Sequence, residues 1–100
     1  MIAYEVNLEV DTAILPDYRR WLDQHMRTIL ALPGFVSAEL FEVLEPAAGD
    51  RRCALCIQYR LRGAEDLDRY LREDAPRLRA DGEQRFAGRF SARRRILRVA

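Results

Sequence analysis

One hundred residues suit one domain, 1–100, with a thin core, since folding a chain this size removes roughly two-thirds of its unfolded surface. Seventeen basic against sixteen acidic residues leave a net charge of +1, so bulk electrostatics favour neither nucleic acid nor an anionic membrane. Two cysteines make no disulfide framework, and no apolar run approaches the ~18 residues of a spanning helix.

Every basic residue is arginine. Guanidinium forks recognise anions, but GC-rich codon usage, which the many alanines and leucines also fit, is the simpler account. Met1–Val10 carries two glutamates and no basic residue before them, which is not a signal-peptide pattern. The expectation is a soluble cytoplasmic protein.

In chain order, Ile2, Tyr4, Val6, Leu8 and Val10 alternate with Ala3, Glu5, Asn7 and Glu9, the mark of a half-buried strand. Asp11 and Thr12 suit a helix cap, and Pro16 is tolerated only in a first turn. Tyr18, Leu22, Met26, Ile29 and Leu30 then recur at helical spacing until Pro33-Gly34 turns the chain. Phe35–Leu44 reads as a second strand, its mixed pattern suggesting cover on both faces. Pro46–Asp50 is a hairpin loop longer than a tight turn needs.

Arg52–Leu61 alternates again, with Cys53, Leu55, Ile57, Tyr59 and Leu61 on one face. A helix is predicted from Glu65 to about Phe86, kinked or restarted after Asp74 because Pro76 lacks the N–H that the helix needs. Ser91–Val99 closes the chain as a strand too rich in arginine to orient. Strand–helix–strand occurs twice, and right-handed crossovers place both helices on one face of the sheet. The predicted fold is an α+β ferredoxin-like βαββαβ sandwich, four antiparallel strands in the order 4-1-3-2.

The face left without helices carries Glu5, Asn7 and Glu9 on the first strand and Gln58, Arg60 and Arg62 on its neighbour. One reading is a solvated, salt-bridged surface, since opposite charges pair across strands. The sharper one is a face that meets a second copy, with Ala3, Phe41, Ala54 and Cys56 lining an enclosed and partly polar cavity. Charges enclosed there would have to be paired or bind a ligand.

The opening Met1–Val10, Trp21 with His25, Gly34-Phe35, Tyr70-Leu71, Ala75-Pro76-Arg77-Leu78-Arg79, and Arg85-Phe86 leading to Phe90 resemble a small bacterial family of unknown function. That family is placed in the dimeric α/β-barrel superfamily. The resemblance covers nearly the whole chain and implies a homodimer whose sheets face each other. Its wider relatives include cofactor-free monooxygenases, haem-degrading enzymes, small isomerases and ligand-sensing modules of regulators. It brings no assigned catalytic residues, and fold analogy alone is weak warrant for any of these roles.

His25, the only histidine, is the side chain that titrates near neutrality without a large shift. It is a general-base or haem-ligand candidate with Trp21 walling a pocket, or simply a helix-edge ring packed on tryptophan. Asn7 with Glu5 and Glu9 is the best polar cluster on the presumed cavity wall, and some superfamily monooxygenases resemble this in placing an asparagine on the first strand. Cys53 and Cys56 spell C-x-x-C, but within a strand they point to opposite faces with Cα atoms about 10 Å apart, too far for a disulfide. One histidine and no second C-x-x-C leave a zinc site incomplete. Arg93, Arg94, Arg95 and Arg98 could meet phosphates, yet an RNA-binding sheet of this topology needs exposed aromatics, and Tyr59 is predicted to point inward.

The leading expectation is therefore a small-molecule-binding homodimer without metal or other cofactor, its ligand walled by Glu5, Asn7, Glu9, Gln58 and Arg60. The alternatives are a cofactor-independent monooxygenase or isomerase using His25 or Asn7, and a structural or protein-interaction module. Neither nucleic acid nor membrane is expected as a partner.

Overall fold

Alternation decides the strands and a 3.6-residue stripe decides the helices, and the computed structural model, which describes residues 1–100, contains both repeats. The elements are β1 (Ile2–Asp11), a turn of 3-10 helix (Thr12–Ile14), α1 (Leu15–Leu30), β2 (Phe35–Glu42), β3 (Arg52–Leu61), α2 (Ala64–Glu73), α3 (Ala75–Phe86) and β4 (Phe90–Arg98). The sheet is antiparallel throughout, in the order β2-β3-β1-β4, which is the predicted order met from its other edge.

The second helical stretch is two helices. Asp74 lies between them, its N–H still donating to the Tyr70 carbonyl at 3.0 Å. Pro76 has no N–H to continue that ladder and starts α3 instead, where the donor would be unpaired anyway. The turn into β2 depends on Gly34, at φ +84°. A Cβ there would lie 2.1 Å from Cγ of Asp66, so even a side chain that accepted the backbone would collide with the start of α2.

The inward faces of β1 and β3 supply most of the core, and Tyr18, Leu22 and Ile29 of α1 with Leu67, Tyr70, Ala75 and Leu78 of α2 and α3 close it. The expectation that β2 is covered on both faces fails within the protomer: Val36 is 48 % and Phe41 40 % exposed. Phe41 lies on the helix-free face and Val36 at an irregularity in the β2–β3 register, so no layer of this chain reaches either. Register with β1 orients β4, which sequence pattern left open. Phe90, Ala92, Arg94 and Ile96 stand opposite the inward residues of β1, while Ser91, Arg93, Arg95 and Leu97 share the helix-free face with Glu9, Asn7, Glu5 and Ala3. No helix is long and apolar enough to cross a membrane.

Candidate functional site

The two faces of the sheet carry two different polar constellations. On the helix-free face the carboxylate of Glu5, 4 % exposed, is the hub. Glu5 Oε1 accepts from Asn7 Nδ2 at 2.9 Å and from Arg95 Nε at 2.9 Å, and Oε2 accepts from Gln58 Nε2 at 3.1 Å. The Asn7 hydrogen bond, outweighing burial and helped by Arg95 and Gln58, holds the Glu5 carboxyl below its usual range. Cys56 is buried on this face opposite Asn7, and desolvation pushes its thiol up.

Three of the five expected ligand-binding residues, Glu5, Asn7 and Gln58, therefore come together, both amides donating to the Glu5 carboxylate. Glu9 does not join them. Its Oε1 accepts from the Gly49 N–H at 3.4 Å, where the β2–β3 loop folds back over a hollow of about 170 Å³ that Asn7 also lines. Arg60 stands apart as well, exposed opposite Ala3 and without an ion pair. Sequence reasoning left Arg95 unoriented within the arginine run, because only the β1–β4 register shows which of those residues lies opposite Glu5.

Between the sheet and the helices lies the other constellation. Trp21 and His25, one turn apart on α1, stack with ring centroids 4.5 Å apart and planes 23° apart. Trp21 Nε1 donates to Asp81 Oδ2 of α3 at 2.7 Å, and Asp81 Oδ1 accepts from Arg85 Nε at 3.1 Å. These two hydrogen bonds keep the Asp81 carboxyl low. Gly82 lets α3 come this close, since a Cβ there would meet Cη2 of Trp21 at 2.8 Å. Burial depresses His25 to about 4, against the pull of Asp81 and with help from Arg94, so its imidazole is neutral at pH 7.

His25 and Trp21 wall a cavity of about 50 Å³ that reaches down to the tyrosines of β1 and β3. Arg79 of α3 donates through Nη2 to the Tyr4 hydroxyl at 2.8 Å. The Tyr59 hydroxyl and Arg79 Nε are buried and have no hydrogen-bond partner in the protein. Desolvation raises the phenols of Tyr18 and Tyr59 far above their usual range and pushes Tyr70 up to about 12, so all three remain protonated donors. Arg94 at the β4 edge also lines this cavity. His25 and Asn7, the two catalytic candidates, thus lie on opposite sides of the sheet. Tyrosines on inward strand positions were the available signal for this site, because a buried phenol needs a partner.

Cys53 packs against the core and Cys56 lies on the other face, both as free thiols, as strand geometry requires. No three His, Cys, Asp or Glu side chains are grouped as metal ligands.

Residues 1–100 match the family described as a domain of unknown function, DUF4286. The chain belongs to that family. No curated protein matches its sequence. Among solved structures, it is similar to a candidate antibiotic biosynthesis monooxygenase from Deinococcus radiodurans, with TM-score 0.77, 10 % identity, and coverage of 100 % of this chain and 93 % of that one. It is also similar to a variant of SnoaB, a cofactor-independent oxygenase from Streptomyces nogalater (TM-score 0.69, 12 % identity, coverage 98 % and 92 %). A third is the haem degrader MhuD from Mycobacterium tuberculosis, solved with two haems bound in its active site (TM-score 0.66, 17 % identity, coverage 100 % and 96 %). These likenesses establish the ferredoxin-like fold for this DUF4286 chain, in agreement with the superfamily its sequence resembles. At such identities they establish no chemistry.

Proposed function

We propose that this DUF4286 protein binds a small molecule in the cavity between its helices and its sheet, as a cytoplasmic homodimer paired through the helix-free sheet faces. The observation that carries the reading is a pair of buried polar atoms, the Tyr59 hydroxyl and Arg79 Nε, left without a protein partner at an aromatic-walled cavity. Buried polar groups are nearly always hydrogen-bonded, so an exception at a concave site marks a place for a guest. The sheet-face set supports the interface half. Glu5 already takes three donors, which suits a surface that packs against another better than one that seizes a ligand.

The occupant is small. Drug-sized ligands fill about 300–1,000 Å³, so a cavity of about 50 Å³ takes a head group or a fragment and has no room for a porphyrin. Native mass spectrometry and a crystal structure of protein taken straight from its host cells test the reading. A dimer with extra mass and density beside Tyr59 is expected. A cavity holding water alone, or density only on the sheet face, overturns it.

A cofactor-independent oxygenase or isomerase is the second reading, favoured by the neutral imidazole of His25 in the same cavity, a weak base at about 4. Asn7 does not share that cavity: it lies on the other side of the sheet, where its Nδ2 donates to Glu5. Oxygen consumption or isomerisation of the recovered ligand, lost in His25→Gln while binding survives, would select this reading over simple binding.

A further inference from the structure

The cavity lining has a one-sided chemistry. Tyr59 and Arg79 Nε offer unpartnered N–H or O–H groups. The Tyr4 hydroxyl, having accepted from Arg79, keeps its own proton to give. Desolvation raises the Tyr59 phenol far above its usual range, so it stays protonated and does not compete for the positive charge nearby.

Two guanidiniums, Arg79 and Arg94, face that space, and neither forms an ion pair, although eight other arginines do. The one acid in the lining, Glu83, lies on the exposed side of α3. Arg94 and Glu83 are both exposed to solvent, which leaves Arg79 as the single positive charge held beside a donor-rich, apolar-walled hollow. Polar groups buried in such a setting are costly until matched.

Resting on the small-molecule reading above, we infer that the ligand is a monocarboxylate, its carboxylate seated between Arg79 Nε and the Tyr59 hydroxyl and its apolar body against Trp21 and Phe90. A carboxylate is flat, carries one charge and accepts from several donors, which suits a guanidinium edge, a phenol and a net single charge. A phosphate dianion carries twice the charge, and the hollow supplies no second countercharge. A neutral amide has the carboxylate's shape but brings N–H donors to a place already full of donors.

Trp21 is the only tryptophan and lines the cavity, so its fluorescence reports the site directly. The protein would be titrated with acetate, propanoate and benzoate, with propanamide as the neutral isostere and with inorganic phosphate, all at matched ionic strength. Saturable change with propanoate or benzoate, and none with propanamide or phosphate, is expected. Tyr59→Phe keeps the ring and the fold and should weaken carboxylate binding about 10-fold, while Arg79→Gln should weaken it by roughly 10- to 100-fold.

Equal response to propanamide, or a preference for phosphate, overturns the carboxylate assignment and leaves the small-molecule reading standing. Carboxylate binding that is indifferent to both substitutions overturns the assigned seat. If no probe perturbs Trp21, and protein from host cells holds only water there, the small-molecule reading falls with it.

Discussion

Tyr59 is the residue on which the site and the stability of the fold conflict. It is 1 % exposed, with a hydroxyl that finds no partner in the protein. A buried donor in that position costs about 1–3 kcal/mol. Tyr59→Phe removes the cost and leaves the ring contacts with Tyr4 and Phe35 in place. Urea unfolding should show the variant more stable by roughly 1 kcal/mol, as expected where stability has been given up for a binding role. A loss of stability would mean that the hydroxyl is satisfied in the folded protein. Spacing alone brings Trp21 and His25 together, because i and i+4 share a helix face. It does not bring Arg79 to Tyr4, 75 positions away, so the inward tyrosines were legible in the sequence and their guanidinium partner was not.

His25 carries a pH prediction. Its ordinary value of 6.5 falls to about 4 in the folded protein, because burial disfavours the charged ring. The unfolded chain therefore binds a proton that the folded one refuses, and stability falls as pH drops from about 6.5 towards 4. Chemical denaturation should find the protein about 1–2 kcal/mol less stable at pH 5 than at pH 7. His25→Phe, which preserves the stack on Trp21, should flatten that slope. Glu5 acts in the same direction, but its depressed carboxyl supports the fold until pH falls below the ordinary value of 4.5, so the two windows separate.

At the scale of elements, the approach of α3 to α1 is set by Gly82. Alanine is the better helix former by about 1 kcal/mol, which alone would make Gly82→Ala stabilising. The new methyl would sit 2.8 Å from Cη2 of Trp21, however, and that ring is pinned by its stack on His25 and its bond to Asp81. Overpacking of this kind costs about 1–3 kcal/mol. The net expectation is a destabilised protein with shifted tryptophan emission, read by thermal unfolding and fluorescence. A more stable variant with unchanged emission would show that the α1–α3 contact has slack. The elements themselves follow from local signals: strict alternation for β1 and β3, Pro76 for the break between α2 and α3, and Pro33-Gly34 for the end of α1. β4 resisted orientation because arginine occurs on both of its faces, Arg94 inward and Arg95 outward. What its pattern cannot say, pairing with Val6 and Glu5 decides.

At the scale of the whole molecule, one sheet face is roofed by helices and the other is not. The open face still buries Ala3, Glu5 and Cys56 among longer neighbours while leaving Phe41 40 % exposed. The mixed pattern of β2 suggested cover on both faces, and this chain supplies only one. If the second cover is another copy, folding and association are linked, and the melting temperature rises with protein concentration. Phe41→Asp separates the possibilities. In a monomer an exposed edge-strand substitution shifts stability by no more than about 0.5 kcal/mol. In a sheet-to-sheet dimer the same change buries a carboxylate in the interface, which is costly without a partner. Sedimentation should show wild type as a dimer and Phe41→Asp as a monomer at micromolar concentration, with the concentration dependence of melting gone in the variant. A wild-type monomer, or a variant that dimerises as tightly, would mean that the sheet face meets something other than its own copy. The Glu5–Arg95 pair would then stand as a surface device, with Arg95 64 % exposed and the pair's contribution small.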